Sequence, residues 1–386
     1  PIPLLRRSRM SGIIAPGEEP WTRELPRARW LVSDTGETGV FMRIEVHFES
    51  GGFWALKPEW NELLQRSRCN TLFLTWEWQS TWWKHLGEGS LLLLGFRSED
   101  DGRLVGIAPL FRASNDGGQS VLYVIGCRDV SDYLDLIIEA GQEDAVYQAL
   151  LDYLEREAQD WDLFDICNIP QDSLTYVRLR ELAEDRGYQT LVEIEDVCPI
   201  IDLPDTWDDY LMMLKKKQRH EVRRKLRKSD AEADTRFIVV GEEHDLQAAV
   251  RAFIDLHQKS TPDKDQFMDS VMQGFFLDMA QVLLDKGWLQ LVFIEMDGEK
   301  AATLLNFDYG DSILVYNSGY DPARFRHLSP GIIVTARSIE LAVTLGRAHY
   351  DFLRGDEVYK YRFGAQDTQV RRLLMAKPGV SLEAAC

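Results

Sequence analysis

The sequence predicts an α/β (α+β) fold built from two tandem copies of one unit. In each copy a mixed, mainly antiparallel sheet is flanked by helices. Three observations predict it. Hydrophobic patterns with the helical and the strand period alternate along the chain. The order of these patterns in the first half returns in the second half. A chain of 386 residues is longer than a single hydrophobic core usually supports, so two domains are expected.

The first half is predicted to begin with two helices, followed by strands and two further helices. Helices are expected at 58–68, 76–86, 142–159 and 174–186, and strands at 91–97, 104–111, 121–125, 134–138, 163–167 and 191–198. Gly187 is a typical stop for the helix before it. Four tryptophans crowd the second helix, and we interpret them as core residues: Trp76, Trp78, Trp82 and Trp83.

The second half is predicted to repeat this order. Helices are expected at 206–228, 246–259, 268–284 and 330–345, and strands at 237–240, 289–295, 301–307, 313–318, 349–353 and 369–375. Thr206 or Asp205 is suited to cap the first of these helices. Gly287 and Gly346 follow two of the others and end them.

Matched segments indicate that the second half is a duplicate of the first. An Asp-Gly turn precedes an apolar strand at Asp101 and again at Asp297, an offset of 297 − 101 = 196. Residues 122–126 match 315–319 at a nearly equal offset of 315 − 122 = 193. The predicted division is therefore a flexible N-terminal extension at 1–45, domains at 46–200 and 201–376, and a tail at 377–386.

Composition excludes several classes of protein. The net charge is 44 − 63 = −19, which argues against general nucleic-acid binding. The apolar runs are too short for a membrane span, and no signal-peptide pattern is seen, so we expect a cytoplasmic protein. The five cysteines form no Cys-x-x-Cys pair, which favours reduced thiols, and no metal site is expected.

Several short segments, in this order and spacing, resemble one family of transferases. They are Phe73–Trp78, Gly319–Pro322, Ser329–Gly331, Tyr350–Gly355, Tyr359–Lys360 and Phe363–Gly364. Over residues 54–375 the chain resembles the CelD-like family of cellulose biosynthesis, with its BioF2-like acetyltransferase domain, and more distantly the Fem-type transferases. The resemblance implies two tandem GNAT acyltransferase folds.

The resemblance also implies that the helix at 330–345 receives the pyrophosphate of an acyl carrier at its N-terminus. Free N–H groups and the helix dipole favour an anion there. Ser329 is suited to cap the helix, and Gly331 leaves room for a phosphate close to the backbone. Arg324 and His327 add positive charge. The loop has a single glycine, where GNAT proteins carry more, and the first half has no such helix start. We therefore expect the first copy to be non-catalytic.

Four side chains late in the chain are candidates for the chemistry. Asp351 and Glu357 are acid–base candidates, and Tyr316 could donate a proton to the leaving thiolate. Lys360 lies in a Tyr-Lys-x-x-Phe-Gly segment similar to one of Fem-type transferases, which implies that it stabilises developing negative charge. Residues 354–364 have no counterpart in the first half, which favours Glu357 and Lys360. His257 is a second base candidate.

A basic helix stands out in this acidic chain. Nine of the fourteen residues from Lys215 to Lys228 are Lys or Arg. Arg219 and Arg223, with Arg227, recur every four residues and line one ridge. Two interpretations stay open. The ridge is a solvated helix face, or it binds a polyanion such as carrier phosphates, an acidic carrier protein, a nucleotide-linked sugar or aminoacyl-tRNA.

Together these features favour an acyltransferase that moves an acyl group from acyl-CoA to an amine or hydroxyl acceptor. The acyl group expected is acetyl. The acceptor is a small molecule or an envelope- or polysaccharide-related compound. Acyl-CoA is expected as a co-substrate, with no permanently bound cofactor. Two alternatives stay open: a Fem-like transferase that uses aminoacyl-tRNA, and a catalytically silent tandem-GNAT binding module.

Overall fold

The computed structural model describes residues 29–34, 41–127, 130–158 and 160–382, with the backbone alone for 29–34 and 41. The predicted N-terminal extension and tail lie partly outside these residues, at 1–28, 35–40 and 383–386. The chain forms two compact units. Unit 1 is Pro1–Asp196 with Gln369–Cys386, and unit 2 is Val197–Thr368.

The strands are numbered in chain order. They are β1 (Arg29–Asp34), β2 (Phe41–His47), β3 (Ser90–Ser98), β4 (Leu104–Ser114), β5 (Ser120–Val124), β6 (Ile137–Ile138), β7 (Leu163–Pro170), β8 (Gln189–Asp202), β9 (Thr235–Val239), β10 (Leu289–Met296), β11 (Glu299–Tyr309), β12 (Ser312–Tyr320), β13 (His349–Asp351) and β14 (Gln366–Ala376).

The α-helices follow the same order. They are α1 (Gly51–Arg66), α2 (Trp76–Leu86), α3 (Glu143–Arg156), α4 (Arg180–Asp185), α5 (Trp207–Met213), α6 (Lys216–Glu232), α7 (Leu246–Ser260), α8 (Pro262–Phe267), α9 (Ser270–Asp285), α10 (Pro330–Thr344) and α11 (Val358–Arg362). Short 3₁₀ turns lie at Leu72–Leu74 and Arg326–Leu328, and a π-helical turn at Thr175–Leu179 precedes α4.

The sheet of unit 1 has the order β1–β2–β3–β4–β5–β7–β14, and the sheet of unit 2 has the order β8–β13–β12–β11–β10–β9. In unit 1 the β5–β7 pair is parallel, and in unit 2 the β12–β13 pair is parallel. Other described neighbours are antiparallel. The series β2, β3, β4, β5, β7 therefore has the same topology as β9, β10, β11, β12, β13. The predicted fold class, two tandem copies of a mixed, mainly antiparallel sheet flanked by helices, is confirmed.

The core of unit 2 forms where helices cover one face of its sheet. Tyr210, Val222 and Leu226 of α5 and α6 join Ile333 and Ile339 of α10 in one buried cluster. The apolar stripe of the basic helix is thus buried, and its charged residues face outward. Three of the four tryptophans of α2 are core residues as expected, since Trp76, Trp78 and Trp82 are at most 8% exposed, whereas Trp83 is half-buried.

Several predicted boundaries are wrong. Residues 206–228 form two helices, because Leu214 and Lys215 adopt extended backbone with ψ near 140°, and the buried Leu214 side chain stays in the core. The helix predicted at 58–68 begins at Gly51 and contains Pro58. Only Ile137–Ile138 of the strand predicted at 134–138 pairs in the sheet.

The two ends of the chain also depart from the prediction. Residues 29–34 and 41–47, which we assigned largely to a flexible extension, pair as antiparallel strands. Residues 369–376, assigned to the second domain, pair with β7 and belong to unit 1. Hydrogen bonding to a strand about 200 residues earlier leaves no local pattern, so the sequence could not predict it.

The expectation of reduced thiols is wrong for one pair of cysteines. Cys127 and Cys167 are joined by a disulfide, with Cα atoms 5.8 Å apart. The parallel pairing of β5 with β7 brings these two positions side by side. Cys69 and Cys198 are free thiols, and Cys386 lies outside the described residues. In the part of the chain that is described, no helix is both long and apolar enough to cross a membrane.

Candidate functional site

The candidate site of unit 2 begins where its parallel strands separate. β12 pairs with β13 only over Ser312–Leu314, opposite His349–Asp351. β12 then continues for six residues to Tyr320 along β11. The parallel ladder therefore ends in the middle of β12.

The chain beyond β13 follows a different neighbour. The Phe352 N–H donates to Pro199 O at 2.9 Å, and the Gly355 N–H donates to Val197 O at 2.9 Å. This segment thus stays beside β8 while β12 stays beside β11. We call the place where these two segments diverge, between residues 315–320 and residues 352–357, the wedge.

A β-bulge lies on the β12 side of the wedge. The register with β11 shifts by one residue at Tyr316, between the pairs Leu305–Asn317 and Asn306–Val315. Bulges redirect the backbone and are common beside active sites. The Tyr316 ring is half-buried and packs against Phe307 and Phe276, with ring centroids 4.9 Å and 5.9 Å away. The predicted thiolate donor is therefore held beside the wedge.

His257 lies under the same strand. Its Nε2 is 3.1 Å from Asn317 Oδ1, and its side chain is buried, while Nδ1 has no partner among the described residues. Burial, and then the charge of Lys264, lower the pKa of His257 to about 3, against a raising effect of Asn317. This lowered pKa makes His257 a weak base, and its buried ring against Asn317 is suited to a packing role beneath β12.

Lys264 of α8 reaches the edge of β12 and was not among the predicted residues. Its Nζ donates to Ser318 O at 2.5 Å and to Ser318 Oγ at 3.2 Å. Burial lowers the pKa of Lys264 to about 8, and the Glu357 carboxylate opposes this shift. The Lys264 ammonium and the Glu357 carboxylate, on the two sides of the wedge, are therefore close enough to interact electrostatically.

The loop after β13 is held by Lys360. Its buried Nζ donates to the carbonyl oxygens of Leu353, Arg354 and Gly355 at 3.2, 2.7 and 3.0 Å, and it pairs with Glu357 at 2.9 Å. Leu353 and Gly355 have φ of 54° and 108°, which the ammonium helps to hold. These contacts occupy all the donors of Lys360.

Asp351 also acts within this loop. Its side chain is 4% exposed, and Oδ1 accepts the Leu353 N–H at 2.7 Å. Glu357 is different, because 44% of its side chain is exposed. Of the three carboxylate and ammonium groups predicted for the chemistry, Glu357 alone presents a substantial exposed surface.

The start of α10 provides the predicted anion site. Ser329 lies at the helix N-cap with φ 61° and ψ 57°, and its side chain makes no capping hydrogen bond, contrary to our expectation. Its carbonyl accepts the N–H groups of Ile332 and Ile333 instead. Pro330 has no N–H, so the Gly331 amide is the remaining first-turn donor. A Cβ at Gly331 would meet no atom within 4 Å, so the space beside it is open.

Positive charge surrounds this helix start. His327 is exposed, and its carbonyl accepts a hydrogen bond from Lys228 Nζ of α6 at 3.1 Å. Arg326 is exposed beside it. Arg324 forms an exposed ion pair with Glu299. Lys228 was missed as a site residue because it lies 99 positions before His327 in the chain, and only packing of α6 brings the two together.

The predicted arginine ridge lies on the outer face of α6. Arg219 Nη1 donates to Met212 O at 3.4 Å, and Arg223 pairs with Asp208 at 3.5 Å. The Asp208 side chain is 87% exposed, so this ion pair contributes little. Both guanidinium groups can therefore exchange these contacts for a ligand. Within the described residues, no group of three or more His, Cys, Asp and Glu side chains could hold a metal ion.

Comparison by sequence gives one family match. Residues 216–361 match the family model described as Acetyltransferase (GNAT) domain. This span contains α10, the wedge and Lys360. A comparison with curated proteins returns no match.

Comparison by structure shows a shared fold. FemX is 12% identical with a TM-score of 0.60, over 82% of this chain and 95% of its own. L-PGS from Bacillus licheniformis is 13% identical with a TM-score of 0.52, over 85% of this chain and 94% of its own. The C-terminal domain of a putative lysylphosphatidylglycerol synthetase from Agrobacterium fabrum is 9% identical with a TM-score of 0.51, over 87% and 94%. At such identities the likeness concerns the fold alone.

Proposed function

We propose that the protein is an acyltransferase in which unit 2 binds an acyl-CoA and transfers its acyl group, acetyl in the first instance, to an amine or hydroxyl acceptor. The observation that carries the proposal is the wedge, which opens at the bulge of β12 and is followed by the open start of α10. An extended thioester arm fits an open strand edge, and a pyrophosphate fits a helix N-terminus.

The donor site follows from these two features. We place the pyrophosphate against the Gly331 amide, with Lys228 and Arg326 as the nearby positive charges and His327 as a nearby hydrogen-bond donor. We place the acyl arm along residues 315–320, so that its thioester carbonyl lies near the bulge at Tyr316. Arg324 is already paired with Glu299, and Lys228 is paired with Glu232 at 3.7 Å, so each exchanges an exposed carboxylate partner for the phosphate.

The chemistry requires attack by the acceptor on the thioester carbonyl, loss of the acceptor proton, and protonation of the leaving thiolate. We assign the thiolate proton to the Tyr316 hydroxyl. Glu357 is the group suited to orient the acceptor, because it is partly exposed at the wedge. Lys360 and Asp351 position Glu357 by holding the loop, and His257 supports β12 through Asn317.

A finer assignment extends this proposal. The motifs from Gly319 to Gly364 support a CelD-like transferase with an envelope- or polysaccharide-related acceptor. One observation favours a second candidate, a Fem-like transferase that uses aminoacyl-tRNA: the exposed ridge of Arg219 and Arg223 offers a surface to a polyanion.

Calorimetric titration of acetyl-CoA into the full chain tests the donor, with Gly331→Asp as the decisive variant. The added carboxylate lies at a helix N-terminus, where it stabilises the helix by about 0.3–1 kcal/mol. It would repel a pyrophosphate, so we expect at least a tenfold loss of affinity, about 1.4 kcal/mol, without loss of thermal stability. Gly331→Ala fills part of the space beside the amide without adding charge, so it should lower the affinity less than Gly331→Asp does.

The titration also separates the candidates. If the wild type and Gly331→Asp bind acetyl-CoA with equal affinity, the start of α10 is not part of the donor site. If acetyl-CoA does not bind, while tRNA binds with salt-sensitive affinity that Arg219→Ala with Arg223→Ala abolishes, the Fem-like candidate replaces the first. If neither binds, the silent binding module remains.

A further inference from the structure

We propose that Lys264 is a self-acylation site: when an acyl-CoA occupies the wedge and no acceptor is present, the ε-amine of Lys264 takes the acyl group. This inference rests on the proposed function, because the acyl donor must bind at the wedge. Lys264 lies in α8, and no motif of the sequence indicated that its amine would be reactive.

The position of Lys264 is the first observation. Its side chain crosses from α8 to the edge of β12, where Nζ donates to the carbonyl and hydroxyl of Ser318. Ser318 lies two residues beyond the bulge at Tyr316, a separation of about 7 Å along a strand. Nζ is therefore within one side-chain movement of the place assigned to the thioester carbonyl.

The acceptors of Lys264 are the second observation. Both hydrogen-bond partners of its Nζ are neutral oxygen atoms of Ser318. Neighbouring ammonium groups have carboxylate partners instead: Lys259 pairs with Asp255 at 2.6 Å, and Lys360 pairs with Glu357 at 2.9 Å. A lysine held by neutral acceptors in a half-buried site loses its proton more readily than a lysine held by a carboxylate.

The charged and titratable groups around Lys264 come from each element packed against it. His257 of α7 is buried and neutral, so it neither holds the ammonium nor competes for a proton. Glu357, before α11, favours the ammonium, but its carboxylate is already paired with Lys360. Burial outweighs the Glu357 charge and lowers the pKa of Lys264 to about 8. About half of the side chains are therefore neutral at pH 8.

The reaction needs no further reagent. The Nζ lone pair attacks the thioester carbonyl carbon, and the carbon–sulfur bond breaks as the tetrahedral intermediate collapses. An amide forms on Lys264, and one of its protons ends on the leaving CoA thiolate. The amide is more stable than the thioester, and its nitrogen is a poor leaving group for attack by the CoA thiolate, so the acyl group stays on the protein.

Peptide mass spectrometry of the full chain, incubated with acetyl-CoA alone, tests the inference. We expect acetylation of Lys264 at least about tenfold faster than of Lys259, the matched lysine at the end of α7. At pH 6.5 the rate at Lys264 should fall about fifteenfold relative to pH 8, as the neutral fraction falls. Lys264→Arg removes the reactive amine, so the labelled peptide should disappear from the digest, which assigns the label to Lys264.

The outcomes distinguish the inference from the function it rests on. Acetyl-CoA that binds with Gly331-dependent affinity, but labels Lys264 no faster than Lys259, overturns the inference and leaves the function standing. If acetyl-CoA does not bind, the proposed donor fails, and p-nitrophenyl acetate then probes the amine directly. Equal labelling of Lys264 and Lys259 by this ester would overturn the reactivity of Lys264 as well.

Discussion

Units 1 and 2 share their strand order but differ immediately beyond the parallel strand pair. In unit 2, β12 and the chain after β13 diverge and leave the wedge. In unit 1, the corresponding region beyond β5 and β7 is filled by the chain itself. The Leu134 N–H donates to Asn168 O at 3.0 Å, and Asn168 Nδ2 donates to Ser131 O at 2.8 Å.

The filling segment of unit 1 is part of its core. Val130, Ser131 and Leu134 are at most 3% exposed. Gln79 of α2 secures the start of the segment by donating from Nε2 to Ile125 O at 3.0 Å. An acyl arm could enter here only if these hydrogen bonds and this packing were broken.

The helices α3 of unit 1 and α10 of unit 2 also differ in how well their N-termini suit a phosphate. The first turn of α3 carries Glu143 and Asp144, whereas the first turn of α10 carries no acid and begins Pro330-Gly331. Two carboxylates at a helix N-terminus stabilise the helix and repel a phosphate. A duplicated fold can therefore keep its strand order while one copy fills, with hydrogen-bonded chain, the region where the strands of the other copy diverge. We propose on this basis that unit 1 binds no donor.

The largest expected effect is that of Lys360→Met in unit 2. The substitution leaves three buried carbonyl oxygens and Glu357 without their cation, so we expect a loss of about 3–5 kcal/mol in the free energy of unfolding. Urea unfolding measures the loss. Hydrogen exchange should rise in residues 197–368 and stay unchanged in unit 1 strands β2–β5. Lys216→Met, on the exposed start of α6, is the control, and an equal loss there would contradict a specific role of Lys360.

The next largest effect is the pH-dependent change in stability expected from Asp135, a buried carboxyl group of unit 1. Burial raises the pKa of Asp135 to about 6, although Ser173, Thr175 and the Leu136 N–H bind it. In the unfolded chain this group ionises near 3.8, so its contribution to stability is present below that pH and is lost as pH rises to 6. Asp135→Asn should therefore stabilise the protein at pH 7 by up to about 3 kcal/mol, and not at pH 4.

Urea unfolding at both pH values checks this prediction. Asp144→Asn, at an exposed carboxylate paired with Arg178, is the matched control and should show no such difference between the two pH values. A stabilisation by Asp135→Asn that is equal at pH 4 and pH 7 would exclude ionisation as its cause.

The smallest expected effect tests the filled region of unit 1. Asn168 has φ 56° and holds Ser131 O, so Asn168→Ala should cost about 2 kcal/mol through left-handed strain and a lost hydrogen bond. Asn168→Gly removes only the hydrogen bond and should cost about half as much. Exchange at residues 130–136 should rise in both variants while acetyl-CoA affinity stays the same. Increased acetyl-CoA binding would indicate that unit 1 also holds a donor site once opened.

Local patterns predicted most of the fold. The Asp-Gly turns at Asp101 and Asp297 and the matched strands after them identified the duplication, because hairpin signals and alternation act over a few residues. The helix starts were less certain. Thr206 caps α5 as predicted, since its side chain accepts the Asp209 N–H, whereas Ser329 adopts a left-handed conformation that its identity alone did not indicate.

The sequence singled out Asp351, Glu357 and Lys360 as candidates for the chemistry, and this assignment stays a prediction. Residues 352–357 form one side of the wedge. The sequence could not tell that Lys360 faces three carbonyl groups of its own loop. Lys264 carries no motif, and its contact with Ser318, 54 residues later, depends on how α8 packs on β12.

By itself, the sequence determined most of the element order, the duplication and the location of the basic helix, because these depend on spacing along the chain. Tertiary structure alone decided which copy is filled, which lysine is held by carbonyl groups, and which lysine is held by neutral oxygens beside the wedge. The physical reason is that burial and hydrogen-bond partners, which set the charge state of a lysine and the room for a ligand, come from residues distant in sequence.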